Sequence, residues 1–163
     1  MTTTIVEGDL LETTAPVIVH QTNCTKGFGS GVAKAIKKKY PIVAEKHRLA
    51  CEINEVIKGN NSNALLGKIQ TISVDTGKVV INMYAQDKYG YDGAKYTSYD
   101  ALDTCLKKVK KYCLEHNFNR IAMPYKMSSV RGGASWDVVM AIVKSIFEDT
   151  DIEIEIRKLD TDG

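Results

Sequence analysis

Strand-like and helix-like segments alternate through almost the whole chain, and this alternation narrows the range of folds more than any other property of the sequence. Short runs rich in β-branched residues predict strands, and apolar residues three and four apart predict helices. The pattern is typical of α/β proteins, in which helices cover a sheet. The predicted strands are Thr3–Glu7, Val17–His20, Ile69–Val74, Lys78–Met83, Ile121–Tyr125 and Ile152–Ile156.

The strands predict one mixed sheet. Val17–His20 is apolar enough for a buried central strand, and the loop Asp75–Gly77 is typical of a hairpin between the third and fourth strands. Ile152–Ile156 alternates apolar residues with Glu, which predicts a partly exposed last strand. We expect a three-layer α/β/α sandwich with a roughly six-stranded mixed sheet, and 163 residues suit a single domain over 1–163.

Four helices are predicted between the strands. Pro41 opens the second, and Thr97 or Ser98 can cap the third. His47 and His116 fall on helical segments, where we expect surface or packing roles. The predicted apolar positions are Val32, Ala33 and Ile36 in the first helix, and Val43, Ala44, Leu49, Ile53 and Val56 in the second. In the third they are Leu102, Cys105, Leu106, Val109 and Tyr112, and in the fourth Trp136, Val139, Met140, Val143, Ile146 and Phe147.

Composition excludes several classes of protein. The net charge of +2 means that positive and negative side chains nearly cancel, so nucleic acid is not an expected partner. The runs of lysine are interpreted as solvent-exposed faces of helices. No apolar run reaches the length of a membrane span, and no secretory signal begins the chain. We expect a cytoplasmic monomer without cofactor or metal. The cysteines, expected to be buried thiols in a reducing compartment, are Cys24, Cys51, Cys105 and Cys113.

The first candidate binding segment, residues 23–31, leads from the buried strand into a helix. Gly27, Gly29 and Gly31 allow close backbone approach, and the helix N-terminus offers unpaired N–H groups to an anion such as phosphate. The spacing fits neither the dinucleotide fingerprint nor the Walker motif. A glycine turn that only connects strand and helix is the alternative.

The second candidate segment, residues 127–134, also joins a strand to a helix. Its hydroxyls and N–H groups suit a pyrophosphate, and Arg131 can pair with one bidentately or can be an ordinary surface arginine. Two phosphate-type segments at one sheet edge indicate a diphosphate ligand. After the first strand, the Asp9 carboxylate can accept from an amino group such as that of adenine, or can simply stabilise a turn.

In this order, these segments resemble the macro domain family, and the resemblance covers nearly the whole chain. Gly8-Asp9-Leu10 is similar to the opening G-D-[IL] signature, and residues 27–33 to the G-x-x-G-x-G-[IV]-A loop. Val19–Asn23 lies where many members have V-N-x-x-N. The branch of ADP-ribose-1″-phosphate phosphatase-like proteins, some of them phage-encoded, is the most similar. The segments that indicate this branch are His20 with Asn23-Cys24, Leu65–Lys68, Asn82–Gln86 and Tyr89–Gly93.

The resemblance implies roles for individual residues. Asp9 would contact adenine, and Asn23 would reach the distal ribose. Leu10 and Gln21 are expected to bind the ligand as well. Residues 128–133 would hold the diphosphate, although Ser128 and Val130 stand at usual glycine positions and Arg131 is added. Gln86 lies where another branch carries a catalytic lysine, with Lys88 close by. The residues implied to wrap the distal ribose and one phosphate are Gly27, Phe28, Gly29, Ser30, Gly31 and Val32. Those implied for the diphosphate are Ser128, Ser129, Val130, Arg131, Gly132 and Gly133.

His20 is the best candidate for chemistry, because it ends a buried strand beside the ribose segment and histidine exchanges protons near neutral pH. It can serve as nucleophile or general acid, or be a satisfied core residue. Asn23 would orient the ribose, and Asp87 could orient water. The expected function is hydrolysis of ADP-ribose-1″-phosphate or a related derivative. The alternatives are a non-catalytic ADP-ribose reader and a hydrolase that removes ADP-ribose from protein or nucleic acid. If the chain is phage-encoded, its compartment is the host cytoplasm.

Overall fold

The computed structural model describes residues 1–24, 28, 31–59, 62–86, 97–127 and 133–159. Within them lie six strands, four α-helices and two short 3₁₀ helices, Leu10–Glu12 and Ser62–Leu65. The strands are β1 (Thr2–Glu7), β2 (Val17–Asn23), β3 (Ile69–Asp75), β4 (Lys78–Gln86), β5 (Arg120–Pro124) and β6 (Glu153–Lys158). The helices are α1 (Gly31–Lys39), α2 (Pro41–Lys58), α3 (Tyr99–Glu115) and α4 (Trp136–Phe147).

The strands form one mixed sheet in the order β1-β6-β5-β2-β4-β3. Only the β3–β4 hairpin is antiparallel, and the other pairs are parallel. The prediction of a six-stranded mixed sheet with an antiparallel hairpin is therefore confirmed. Five strands consequently end at the same edge, which we call the carboxyl edge.

Two strands run further than the apolar pattern predicts. β2 reaches Asn23 instead of His20, and β4 reaches Gln86 instead of Met83. Their polar ends continue the ladder, with Gln21 opposite Met83 and Asn23 opposite Gln86 after a bulge. Strand pairing satisfies the backbone regardless of side-chain polarity, so polar residues at the carboxyl edge are held by the sheet rather than by loops.

Helices cover both faces of the sheet, which makes three layers. Along β2, Val17 and Val19 pack in the core that includes α3 and α4, whereas Ile18 packs on the opposite face with Ile36 and Val43 of α1 and α2. This follows from the alternation of side chains along a strand. Ser98 caps α3 by accepting from the backbone N–H of Ala101. The α/β sandwich is confirmed.

The predicted apolar face of α2 is wrong beyond its first turn. Leu49, Ile53 and Val56 are 38%, 57% and 86% exposed. The helix is rotated so that His47 lies inside, with its Nδ1 3.0 Å from the hydroxyl of Tyr84. A hydrogen-bonded polar side chain can occupy a core position that hydropathy alone assigns to an aliphatic residue. The buried residues of α2 are Val43, His47, Cys51 and Asn54.

The predicted water-facing side of the last strand is also wrong for Glu155, which is 5% exposed. β6 is an interior strand between β1 and β5. The carboxylate accepts from Thr13 Oγ1 at 2.7 Å, from Arg157 Nε at 2.5 Å and from Arg120 Nη2 at 3.0 Å. Burial alone would raise the pKa of Glu155, but these hydrogen bonds and the two arginine charges outweigh it and hold the pKa below its ordinary value.

The four cysteines are buried and free of disulfides, as predicted. Burial raises the pKa of Cys105 and of Cys113 to about 12, so these two thiols stay protonated and unreactive near neutral pH. No helix within the described part of the chain is both long and apolar enough to cross a membrane.

Candidate functional site

The candidate site lies along the carboxyl edge, where the ends of the parallel strands bring the predicted binding segments together. Gly8 follows β1 and is tied to β6 by its N–H, which donates to Lys158 O at 2.9 Å. Asn23 and Gln86 end the neighbouring strands β2 and β4 as register partners. Gly133 precedes α4, on the path that leaves β5. The described ends of the predicted segments therefore lie at the edge where ligand sites form in open α/β sheets.

Part of the predicted site lies outside the described residues. Asp87, which was predicted to orient water, and the tyrosines of residues 89–91 are among these. The same applies to most of the two predicted phosphate segments. The predicted ligand residues outside the described part of the chain are Gly27, Gly29, Ser30, Ser128, Ser129, Val130, Arg131 and Gly132.

Asp9 is the N-cap of the 3₁₀ helix that follows β1. Its Oδ1 accepts from the backbone N–H of Leu11 at 2.9 Å, while Oδ2 has no hydrogen-bond partner among the described residues. Gly8, at φ 139°, allows this turn, and a Cβ there would meet Arg157 Nη1 at 3.1 Å. Leu10 is 6% exposed and anchors the turn in the core. The turn thus positions one carboxylate oxygen for an external donor.

His20 lies deep beneath the edge, 2% exposed. Burial lowers its pKa to about 4; the hydrogen bond to Asn82 opposes this shift, and the nearby His47 adds to it. The imidazole is therefore neutral at pH 7, with about one molecule in a thousand protonated. A neutral ring can accept a proton or attack as a nucleophile, but it has no proton beyond its one ring N–H to give.

A chain of side-chain hydrogen bonds fixes which ring nitrogen of His20 carries the proton. Gln70 Nε2 donates to the backbone carbonyl of Lys46 at 2.8 Å, and a carbonyl can only accept. Gln70 Oε1 must then accept, and it does so from Asn82 Nδ2 at 2.9 Å. Asn82 Oδ1 in turn faces His20 Nε2 at 2.5 Å, so Nε2 is the donor. In neutral His20 the lone pair is therefore on Nδ1.

Phe28 packs above this network. It is 7% exposed, and its ring lies edge-on to His20, with 5.6 Å between ring centroids. Its other contact is His47, at 5.2 Å, and His47 stacks on Tyr84 at 5.6 Å. Of the residues implied to wrap the distal ribose, Phe28 thus packs its side chain against two histidines of the core.

Amide side chains line the junction of β2 and β4 on the α3 face. Gln21 Nε2 donates to Gln86 Oε1 and to Thr97 Oγ1, each at 2.8 Å. Gln86 is 6% exposed and pairs through its backbone with Thr97 as well as with Asn23. The position that the resemblance associates with a lysine therefore holds a fixed, uncharged amide.

Two helices begin beside this edge. α1 starts at Gly31, whose φ of 62° suits glycine, and it carries no acidic residue in its first turn. Val32 packs partly against the core on that face. α4 starts at Trp136, after Gly133 at φ 69°. Helix N-termini present unpaired N–H groups and a partial positive charge, which suits an anionic group at α1. The first turn of α4 carries Asp137, whose negative charge opposes an anion there.

Sequence reasoning did not predict the polar network around His20. Gln70 was not singled out, and Asn82 and Tyr84 were named only within the segment Asn82–Gln86 that carries the resemblance; all three belong to this network, on the β3–β4 hairpin. The signal was present: polar residues at every second position of a strand otherwise buried, which predicts a polar network inside the protein. Thr22 was also missed, and its buried hydroxyl has no hydrogen-bond partner among the described residues.

Comparisons with known proteins agree with this arrangement. The profile of the Macro domain family matches residues 19–143. A Mycobacterium tuberculosis protein named DNA ADP-ribosyl glycohydrolase is 28% identical over 141 residues, which are 86% of this chain and 37% of that protein. The chain thus spans well under half of that relative.

Two further matches cover almost the full length of this chain and of the matched protein. A Bos taurus protein named ADP-ribose glycohydrolase OARD1 is 25% identical over 157 residues, 96% of this chain and 91% of that protein. The solved macrodomain of Mycobacterium tuberculosis DarG superposes with a TM-score of 0.79 at 23% identity, over 96% of this chain and 97% of that one. At that identity the structural match shows the fold alone.

Proposed function

Because this chain belongs to the macro domain family, we propose that it binds ADP-ribose along the carboxyl edge and hydrolyses a bond at the distal ribose. The observation that carries the proposal is the convergence of Asp9, Asn23, Gln86 and two helix N-termini on one edge, above the neutral His20. The names of the two glycohydrolase relatives support hydrolysis in general.

Each group at the edge fits one part of ADP-ribose. The Oδ2 atom of Asp9 can accept from the adenine amino group, and the N-terminus of α1, which has no acidic residue in its first turn, suits the diphosphate. Residues 128–133 remain the proposed diphosphate segment, with Arg131 as a bidentate partner. Asn23 and Gln86, at the junction of β2 and β4, are the residues we assign to the distal ribose.

The preferred substrate is ADP-ribose-1″-phosphate or a related ADP-ribosyl derivative. Hydrolysis of the phosphate breaks the P–O bond and releases inorganic phosphate and ADP-ribose, with water supplying the new oxygen and proton. Of the two roles proposed for His20, nucleophile and general acid, the low pKa favours the nucleophile, and the tautomer assigns that role to Nδ1. Asp87 and Asn23 would orient water and ribose.

A second candidate substrate is ADP-ribose attached to DNA or protein. The name of the Mycobacterium tuberculosis relative favours DNA, and the name of the Bos taurus relative supports glycohydrolase activity without an acceptor. A mechanism that needs a lysine at the end of β4 is disfavoured, because Gln86, an uncharged amide held by Gln21, occupies that position. Product analysis separates the candidates: phosphate release from ADP-ribose-1″-phosphate, or free ADP-ribose from ADP-ribosylated DNA or protein. Binding of ADP-ribose without either product would identify a reader.

The substitution His20→Gln tests the role of His20. The glutamine Nε2 can still donate to Asn82 Oδ1, but the side chain has no basic nitrogen equivalent to Nδ1. We expect turnover to fall about 100-fold or more, with ADP-ribose affinity within about threefold of the native value. His116→Gln, at the exposed end of α3, is the matched control. Unchanged turnover in His20→Gln would mean that His20 has a structural role and takes no part in the reaction.

A further inference from the structure

Thr22 lies on β2 between two residues already assigned to the site. It has the same orientation as His20, because side chains two apart along a strand share a face, and the bulge comes only after Thr22. On that face β2 packs against Phe28 and α1. Thr22 is therefore roughly 7 Å closer to the carboxyl edge than His20.

The hydroxyl of Thr22 is buried and unpaired. Thr22 is 4% exposed, and its Oγ1 has no hydrogen-bond partner among the described residues. Buried hydroxyls without partners are rare, because losing water without a replacement is unfavourable. Thr13 shows the ordinary case: it is 2% exposed, and its hydroxyl donates to Glu155 at 2.7 Å.

The unpaired atom points to a ligand partner. A hydroxyl both donates and accepts, so it matches another hydroxyl better than it matches an obligate donor or acceptor. Its neighbour along β2, Asn23, and the partner of that residue, Gln86, are proposed to hold the distal ribose. That ribose carries hydroxyls, whereas the adenine and diphosphate groups are assigned to other elements of the edge.

We infer that Thr22 is a further ligand-contacting residue, whose hydroxyl hydrogen-bonds an oxygen of the distal ribose and selects for ligands that contain it. The inference rests on the proposed binding of ADP-ribose. A valine at this position has the same shape without the hydroxyl. Thr22→Val therefore removes the contact while leaving the apo protein intact, because no internal hydrogen bond is lost.

The test compares ADP-ribose with ADP, which lacks the distal ribose, by calorimetric titration of the native protein and of Thr22→Val. We expect Thr22→Val to bind ADP-ribose about 5–10-fold more weakly and to bind ADP within twofold of the native protein. Thr22→Ser, which keeps the hydroxyl, should retain most of the affinity for ADP-ribose. The Tm of Thr22→Val without ligand should equal or exceed the native value.

Thr13→Val is the matched control, since it removes a hydroxyl that has a partner. Its Tm should fall by about 5 °C. If Thr22→Val lowers the Tm as much, or weakens ADP and ADP-ribose alike, the hydroxyl has a structural role and the inference is wrong. Equal affinity for ADP-ribose in the native protein and Thr22→Val also overturns it, with the proposed function intact. If the native protein binds no ADP-ribose, both proposals fail together. If Thr22→Val does not fold, Thr22→Ala provides the second test of stability.

Discussion

Replacing Glu155 with Gln should destabilise the protein strongly, although the sequence pattern predicts that this residue is exposed to solvent. Both carboxylate oxygens accept from donors: Oε1 from Thr13 and Arg157, and Oε2 from Arg120. A glutamine has one oxygen and one NH₂ group. Whichever way it is turned, its NH₂ faces a donor, and the arginine charges lose their partner.

The size of the effect follows from burial. Breaking a buried ion pair by removing one partner costs about 3–5 kcal/mol, and the lower end applies because Arg120 is 34% exposed. With an unfolding entropy of about 2.1 cal/mol/K per residue, 163 residues give about 0.34 kcal/mol/K. A loss of about 3 kcal/mol then lowers the Tm by about 9 °C.

The assay is thermal unfolding followed by circular dichroism, with Glu153→Gln as the control on the same strand. Glu153 is 42% exposed and lies 3.6 Å from Arg120 Nε, so its loss should move the Tm by no more than about 2 °C. If the two variants lose equal stability, or if Glu155→Gln loses none, the carboxylate is not the buried partner of the arginines.

The pH dependence gives a second check of the same argument. The pKa of Glu155 is lower in the folded protein than its ordinary value of 4.5. Its contribution is therefore fully present above about pH 4.5 and is lost as the pH falls through the lowered folded value. The Tm difference between the native protein and Glu155→Gln should shrink in that acidic range, and a difference that persists unchanged at pH 2 contradicts the assignment.

Two further predictions concern His20 and α2. In a ¹⁵N-detected titration, His20 should stay neutral with its proton on Nε2 from pH 8 to pH 5; because its pKa is lowered from 6.5 to about 4, it contributes stability above pH 6.5 that is lost as the pH falls towards 4. A titration midpoint near 6.5 would refute this. On α2, Val56→Lys should leave the Tm within about 2 °C of the native value, since Val56 is 86% exposed. Val43→Ala, at a fully buried position, should lower the free energy of unfolding by about 2 kcal/mol. The opposite ranking would mean that the helix is rotated differently.

The order of strands and helices was predictable because it depends on local patterns. The apolar run Val17–Ile18–Val19 and the stripe of α3 each match a period that only one kind of element has. The shared edge at which five strands end was predictable for a related reason, since parallel strands must end together. These features need no knowledge of distant partners.

The errors arose where distant residues decide burial. Glu155 is buried because Thr13, 142 positions away, and two arginines satisfy it. His47 of α2 lies in the core because the hydroxyl of Tyr84, on β4, is its hydrogen-bond partner. A hydropathy pattern along one segment contains no information about such partners, so it places polar residues outside and aliphatic ones inside.

The candidate site divides in the same way. Asp9, Asn23 and Gln86 follow from their positions at strand ends. The neutral state of His20 does not, because its cause is burial together with Asn82, which is 62 positions away. Thr22 looked like any other strand threonine, and only the three-dimensional arrangement shows that its hydroxyl is unpaired.

The hydrogen-bond chain that begins at the Lys46 carbonyl restricts which sequences can occupy this fold. A main-chain oxygen is present whatever side chain stands at position 46, so the direction of the chain cannot be reversed by substitution there. Gln70 and Asn82 each donate through an NH₂ group and accept through a separate oxygen, so each amide passes the direction of the chain on to its neighbour. A carboxylate at either position would place two acceptors face to face. Divergence at these two sites is therefore coupled, and a homologue that loses one amide is expected to change the other together with residue 20.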